Sequence, residues 1–371
     1  MTKIKVGILF GGRSAEHEIS LQSAKNVIEA LDKAKYDATL IGIDKEGKWH
    51  SFQDSAFLLN ETNPKLIKLN QSSQTEVAVA LGTSERPLVP VSSKKPHSMM
   101  QEPMGVDVIF PVLHGTFGED GTVQGLLKLA GIPFVGADVL GSAVGMDKDV
   151  MKRLLRDAGL PIADFLTFRR FERSEISYDK VKERLGEPFF IKPANLGSSV
   201  GISKVSDKST FEKGIETAFF YDNKIVIEEN ITGREIEVGV LGNEHPIASI
   251  PGEVIPHHDF YSYEAKYIDA DGAGLKIPAE ISDAVAAELK MMAVKVFKTL
   301  ECEGLGRVDF FLVDGKKILV NEINTIPGFT KISMYPRLWQ ASGIPYAELI
   351  DRLLQLAIEK HERDSRLRSS V

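Results

Sequence analysis

Three oxygen-bearing residues in the last quarter of the chain, with an arginine beside them, have the types and spacing to hold a metal ion. Residues 306–313 and 318–324 read as two strands around an Asp314-Gly315 turn, a hairpin. Alternation along a strand puts Arg307 and Asp309 on one face, and does the same for Glu322 and Asn324. If the loop holds an even number of residues, both pairs share one face of the sheet. A two-residue loop sets Asp309 opposite Val320, and a four-residue loop sets it opposite Glu322. Either register gathers two carboxylates, an amide oxygen and a guanidinium. Oxygen ligands of this kind suit Mg²⁺, which binds through one or two carboxylates and leaves room for phosphate and water. Asn324-Thr-Ile-Pro-Gly328 follows at once, a loop able to turn backbone N–H groups toward the same place.

Two lysines suit phosphate. Lys192 ends an apolar strand just before Pro193, and residues 197–201 (GSSVG) form a small-residue loop that phosphate oxygens can approach closely. Lys148 starts a helix after Met146-Asp147. Nearer the N-terminus, residues 11–20 (GGRSAEHEIS) put Glu16 in a strand-to-helix loop, where sheets with helical crossovers expose ligand sites. A carboxylate there can bind an ammonium group. His114-Gly115 with Glu119-Asp120-Gly121 repeats the arrangement after another strand. No Walker A pattern occurs, no G-x-G-x-x-G follows the first strand, and neither His17-Glu18 nor His361-Glu362 has the second histidine of a zinc protease. Spacing alone reaches a phosphate- and Mg²⁺-using enzyme with an amine-binding carboxylate.

The elements that must position these residues are legible in outline. Residues 5–10 (KVGILF) form a buried strand running into Gly11-Gly12; Leu21, Ala24, Val27, Ile28 and Leu31 then recur at helical spacing. Strands at 38–43 and 106–113, a helix at 122–130 and a short strand at 133–135 complete an alternation that implies a parallel sheet with helices on both faces. Residues 71–102, rich in Ser, Pro, Lys and Gln, read as an irregular surface excursion. Beyond residue 139 the pattern predicts a helix at 148–158, strands at 188–192, 224–229 and 235–241, and helices at 282–300 and 346–360. Val238 and Val240 alternate with Glu237 and Gly239 as in a half-buried strand.

Composition sets the outer limits. At 371 residues, net charge −7, 43% hydrophobic and 26% charged, the chain has material for two or three folded domains. There is no basic stripe of the kind nucleic-acid binders carry, so no nucleic-acid partner is expected. Cys302 stands alone, which excludes an internal disulfide and a cysteine-rich zinc site. No apolar run approaches the roughly 18 residues that span a bilayer, and residues 6–10 are too short for a signal-peptide core. The expectation is a cytoplasmic protein without a membrane partner.

Six motifs, in order, carry a family resemblance. Gly11-Gly12-x-Ser14-Ala15-Glu16-x-Glu18, His114-Gly115 through Glu119-Asp120-Gly121, Met146-Asp147-Lys148, Lys192-Pro193 with 197–201, Gly306-Arg307-x-Asp309, and Asn321-Glu322-x-Asn324-Thr325-x-Pro327-Gly328 together resemble the D-alanine–D-alanine ligases, a branch of the ATP-grasp ligases. The resemblance runs from residue 4 to about residue 355. It implies an N-terminal parallel-sheet, Rossmann-like α/β domain (1–138) that binds substrate. A two-lobed α+β ATP-grasp unit follows, with a central lobe (139–227) and a C-terminal lobe (228–371) carrying lid and metal site.

It also implies roles. ATP phosphorylates the carboxylate of one D-alanine, and the amine of a second attacks the acyl phosphate, giving the dipeptide of peptidoglycan. Glu16 would bind the first ammonium, with His114 near its carboxyl group. Lys148, Lys192, Lys266 and Ser199 would meet ATP phosphates. Glu228, Glu229 and Ile231 would lie at the adenine and Glu235 at the ribose. Asp309, Glu322 and Asn324 would hold two Mg²⁺ or Mn²⁺ ions. Arg307 and the Gly328 N–H would stabilise the oxyanion, Ser333 and Met334 would meet the second substrate, and Ser198 and Tyr267 would assist proton transfer with Glu16. Residues 259–273, carrying Lys266 and Tyr267, are the candidate lid, and a homodimer is expected.

Overall fold

The computed structural model describes the whole chain except residues 1, 53–56, 61–62, 64–65, 71–73, 83–85, 92–103, 257–272 and 369–371. Of the candidate lid, residues 259–272, with Lys266 and Tyr267, lie outside the described residues.

The first sheet contains β1 (Ile4–Gly11), β2 (Tyr36–Ile43), β3 (Trp49–Phe52), then, after a small ribbon of β4 (Leu58–Leu59) and β5 (Lys68–Leu69), β6 (Gln74–Val79), β7 (Leu88–Pro90) and β8 (Val108–Pro111). Their spatial order is β7-β6-β3-β2-β1-β8. Only β2, β1 and β8 run parallel; β3, β6 and β7 extend one edge as an antiparallel meander. The expected parallel sheet is therefore half of a mixed one. Residues 71–102, read as irregular, supply β6 and β7. Strand β7 is the edge of the sheet and ends in Pro90, and β6 beside it is only half-buried, so their composition imitates a loop.

Helix α1 (His17–Ala30) covers one face of this sheet and α2 (Thr122–Leu129) the other. Strand β1 is buried from Val6 onward because both faces are covered. Two helices follow, α3 (Val139–Met146) and α4 (Lys148–Asp157). A second sheet is wholly antiparallel: β9 (Phe165–Arg169), β10 (Phe189–Pro193), β11 (Ser203–Val205) and β12 (Lys224–Glu229), in the order β11-β10-β12-β9. Helices α5 (Tyr178–Leu185) and α6 (Lys208–Tyr221) pack their apolar stripes on it.

The third sheet, also antiparallel, comprises β13 (Arg234–Gly242), β14 (Ile247–Ala248), β15 (Gly252–Pro256), β16 (Ala273–Lys276), β17 (Gly304–Val313) and β18 (Lys317–Asn324), with α7 (Asp283–Thr299) across it. Strand β13 is buried on both faces rather than half-buried. Glu237 is only 8% exposed, and Tyr335 and Trp339 of α8 (Met334–Ala341) crowd the space a side chain at Gly239 would fill. Helix α9 (Tyr346–Ser365) returns to the first sheet. Its Leu349, Ile350, Leu353 and Leu354 share one core with Val6, Ile8 and Phe10 of β1 and with Phe329.

Candidate active site

The hairpin β17–β18 brings the metal candidates together by a route the sequence did not predict. Val313 pairs with Lys317, so the loop holds three residues, Asp314, Gly315 and Lys316, an odd number. With no irregularity that register would set Asp309 opposite Asn321 and throw Glu322 to the other face, because a one-residue slip inverts every side chain. A β-bulge between Asp309 and Phe310 absorbs the extra residue. Asp309 then pairs with Glu322 and Arg307 with Asn324, all on one face. The even-loop expectation is corrected: the shared face is right, and the bulge produces it.

Within the cluster, Arg307 grips Asp309 with two N–H donors, Nε to Oδ1 at 2.7 Å and Nη2 to Oδ2 at 2.8 Å. The same Nε lies 2.9 Å from Glu237 Oε2. Asn324 donates its Nδ2 to Asp309 Oδ2 at 2.9 Å, which leaves its amide oxygen as the atom to offer a metal. Among the described residues no group of three or more His, Cys, Asp or Glu stands in a metal-holding arrangement. Two carboxylates and one amide fit Mg²⁺ or Mn²⁺ bound jointly with phosphate, and do not make a closed protein cage.

The lysines meet this face. Asp147 caps α4, accepting from the N–H groups of Asp149 and Val150 at 3.1 Å, and is itself held by Lys224 of β12. That cap aims Lys148, the first helical residue. Its Nζ lies 3.5 Å from Glu322 Oε2 and donates to the Leu196 carbonyl at 2.8 Å. Lys192 of β10 reaches Glu228 Oε2 at 2.6 Å. Burial alone would lower the Lys192 ammonium, but Glu228, with Glu322 and Glu235 beyond it, outweighs burial and holds it above its ordinary value. Burial likewise opposes the Glu228 charge, and Lys152 and Lys192 override it, holding its carboxyl down at about 2.

Lys152 was missed in the sequence. It sits one turn beyond Lys148 on α4, 1% exposed, with its Nζ 3.3 Å from Glu228 Oε1. A lysine on a helix with high polar content reads as solvated. The signal available was its i, i+4 spacing from Lys148, which places both ammonium groups on one helix face.

Glu16 stands at the start of α1, 6% exposed. Ser20 of that helix accepts from the Gly11 N–H at 2.7 Å and donates to the Val112 carbonyl at 2.5 Å, stitching the ends of β1 and β8 to it. Gly11 has no alternative here: its φ is +88° and a Cβ would stand 2.1 Å from the Ile43 carbonyl oxygen. A Cβ built on Gly115 would meet Glu16 Oε2 at 2.8 Å, and one on Gly197 at 3.7 Å. The two glycine-bounded loops and Glu16 therefore converge. Ser198 and Ser199 both take left-handed backbone, φ 52° and 58°, next to Gly197. Non-glycine residues held this way turn consecutive N–H groups into one concavity.

His114 donates from Nδ1 to the Ile326 carbonyl at 3.0 Å, so its Nε2 accepts from Ser23 Oγ at 3.1 Å. Burial holds this imidazole below its usual pKa, hence neutral at pH 7. Glu119, named in the sequence as part of its motif but given no role of its own, accepts from the Gly115 N–H at 2.6 Å and the Ile326 N–H at 3.0 Å. Burial first, and the Glu16 charge second, push its carboxyl up to about 8. A cavity of about 420 Å³ opens beside these loops, lined by Gly11, Gly12, Leu113, His114 and Phe117 among others.

The remaining candidates are spread around this centre. Ser333 accepts from the Thr330 N–H at 3.1 Å beside Gly328. The Met334 side chain is buried against Val254 and Leu338, so only its backbone faces outward from the start of α8. Glu229 accepts the Asp164 N–H at 2.7 Å, bracing β9. Ile231 lies in the connection between β12 and β13, and Glu235 on β13 pairs across the sheet with Phe311.

Comparison with known proteins places these features in one family. Residues 5–137 match the family model described as the D-ala D-ala ligase N-terminus, and residues 154–355 that of the D-ala D-ala ligase C-terminus. The chain is 55% identical over 371 residues to a D-alanine–D-alanine ligase of Shouchella clausii, covering 100% of this chain and 99% of the relative. It is 50% identical to D-alanine–D-alanine ligase A of Escherichia coli, with 100% of both covered. Among solved structures, the D-alanine–D-alanine ligase of Coxiella burnetii superposes with a TM-score of 0.84 at 38% identity, covering 99% of this chain and 97% of the other. The VanG D-Ala:D-Ser ligase of Enterococcus faecalis gives 0.83 at 34% identity, covering 96% and 100%.

Proposed function

Because this chain belongs to the D-alanine–D-alanine ligase family and performs its reaction, the ATP-dependent joining of two D-alanines for peptidoglycan synthesis, we propose how its own residues divide the work. The observation that carries the reading is the 3.5 Å approach of Lys148 to Glu322, which sets phosphate-binding lysines against the metal-binding face.

Glu16 binds the ammonium of the first D-alanine in the pocket made by Gly115 and Gly197. Lys148, Lys192 and, from the lid, Lys266 neutralise the ATP phosphates, and Ser199 donates a hydrogen bond to them. Glu228 accepts from the adenine amino group, its charge secured by Lys152 and Lys192; Glu229 and Ile231 serve the base through their backbone, and Glu235 takes the ribose. Asp309, Glu322 and Asn324 would hold two Mg²⁺ or Mn²⁺ ions, which would supply charge neutralisation for the phosphoryl group. A carboxylate is a poor electrophile, so the first D-alanine's carboxylate oxygen takes the γ-phosphoryl group and acquires a leaving group. The second D-alanine, held at Ser333 and the Met334 backbone, loses a proton through Ser198, Tyr267 and Glu16 and attacks the carbonyl carbon. Arg307 and the Gly328 N–H stabilise the oxyanion, and phosphate leaves.

The N-terminal unit (1–138), central lobe (139–227) and C-terminal lobe (228–371) are assigned as substrate, nucleotide and metal-bearing units. A cytoplasmic homodimer completes the proposal. Among the described residues no helix is long and apolar enough to cross a membrane.

The second substrate is D-alanine rather than a hydroxy acid. The lid sequence keeps Lys266-Tyr267 and has no histidine between His258 and His361, so it lacks a histidine whose charge could help select D-lactate. Equal D-alanine, D-serine and D-lactate supplied together at pH 6, 7 and 9 should yield chiefly D-alanyl-D-alanine. Its yield should rise with pH as free amine accumulates. Predominant ester or D-alanyl-D-serine would overturn this assignment.

A further inference from the structure

The motif around His114 carries one residue that the reaction leaves unexplained. Asp120 is accounted for locally, accepting from the Thr122 N–H at 3.0 Å and the Phe117 N–H at 2.9 Å as α2 begins. Glu119 has a different reach. One of its oxygens accepts from Gly115, in its own loop, and the other from Ile326, 207 residues away. Ile326 is thereby gripped on both sides of one residue, its N–H by Glu119 and its carbonyl by His114.

The whole segment that follows β18 is seated on the first sheet's unit. Phe329 packs 5.4 Å from Phe110 of β8, and the Lys331 N–H donates to Asn26 of α1 at 3.1 Å. Gly328 lies between these anchors, two residues from the Ile326 peptide. A carboxylate is an expensive choice for this job. It is 9% exposed and shares its surroundings with the Glu16 charge. Yet two N–H donors converge on two separate oxygens, and an amide would turn an NH₂ group against one of them. Around it stand Glu16 from the start of α1, His114 and Gly115 from its own loop, Arg307 from β17 and Ile326.

We propose that Glu119 is a positioning residue: its carboxylate fixes the Ile326 peptide, and so holds the Gly328 N–H where the oxyanion forms when the amine attacks the acyl phosphate. The inference rests on the role given to Gly328. It also links the two substrates, since an ammonium bound at Glu16 offsets the charge that disfavours the ionised Glu119. Burial and Glu16 together hold this carboxyl near 8 in the ligand-free chain. Arrival of the first D-alanine therefore favours the form that grips Ile326.

The test is Glu119→Gln in the full-length chain, with ADP and dipeptide both quantified at saturating ATP, Mg²⁺ and D-alanine. ATP affinity and the thermal midpoint are measured beside them. The variant should keep the wild-type Kd and KM for ATP and lose about 10- to 100-fold in kcat for dipeptide, the scale on which a small misplacement near the chemistry acts. It should also release at least two ADP per dipeptide. An acyl phosphate that the amine attacks slowly is instead hydrolysed by water at phosphorus, a route that develops no oxyanion at Gly328, with the P–O bond to the carboxylate breaking to return D-alanine and phosphate. Unchanged kcat and one ADP per dipeptide would overturn the proposal. So would a fall in kcat matched by weaker ATP binding and a lower midpoint, with the ratio still at one, because that is loss of fold. If Glu119→Gln does not fold, the same measurements pass to Glu119→Asp, and failure of both to fold would mark Glu119 as purely structural. A wild-type chain making no dipeptide would remove the ligase reading itself.

Discussion

Replacing Arg307 with Met probes the charge balance on which the metal site depends. In the structure three carboxylates, Asp309, Glu237 and Glu322, face two cations, Arg307 and Lys148. The guanidinium contacts Asp309 at 2.7 and 2.8 Å and Glu237 at 2.9 Å. At charge separations near 4 Å and an effective dielectric of about 20, each pair is worth about 4 kcal/mol, so roughly 8 kcal/mol of attraction is lost. Removing the guanidinium also removes its own desolvation cost of several kcal/mol, leaving a net loss of about 3–5 kcal/mol. Urea unfolding in EDTA should show that deficit at pH 7. Adding Mg²⁺ should narrow it by about 1.4 kcal/mol or more, equivalent to tenfold tighter metal binding, because the variant keeps three carboxylates against one cation. Activity should fall about 10²- to 10³-fold, as for loss of an oxyanion donor. A deficit below about 1 kcal/mol, or equal stabilisation of both proteins by Mg²⁺, would refute the charge accounting.

Two other substitutions test separate parts of the account. Glu322→Gln should leave the fold intact and lower kcat by about 100-fold or more at saturating ATP and Mg²⁺; near-normal turnover would remove Glu322 from the metal face. Lys360 is buried on α9, donating to the Gly136 carbonyl at 2.7 Å, and burial lowers its ammonium from 10.5 to about 8. The unfolded chain therefore binds more protons between those values, and wild-type stability should rise with pH across that window. The stability gap between wild type and Lys360→Met should change by about 3 kcal/mol from pH 8 to 10.5, in favour of wild type. A gap independent of pH would show that Lys360 is not buried as an ammonium.

Much of this site is local enough to be read from the chain. Lys192 before its small-residue loop, Lys148 after a capping Asp147, and the alternating residues of β17 and β18 each owe their orientation to neighbours a few residues away. The bulge does not. Its only local trace is Asn321 next to Glu322, two half-buried polar residues in succession after three buried apolar ones. The burial of Lys152 and of Glu119 was not legible for a related reason. Charged residues belong at the surface by default, and what permits their burial lies far off in sequence, Glu228 for the first and the Ile326 N–H for the second. Strands β6 and β7 failed differently, because a half-buried strand and a short edge strand ending in Pro90 share their composition with loops.

The most direct measurement follows oxygen rather than rate. D-Alanine labelled with ¹⁸O in both carboxylate oxygens is incubated with unlabelled ATP, Mg²⁺ and the enzyme, and the phosphate released is analysed by mass spectrometry. If the first D-alanine's carboxylate takes the γ-phosphoryl group before the amine attacks, one labelled oxygen must leave with each phosphate as each dipeptide forms. Dipeptide accompanied by unlabelled phosphate would contradict an acyl phosphate route, and with it the roles assigned to Arg307, Gly328 and the Asp309–Glu322–Asn324 face.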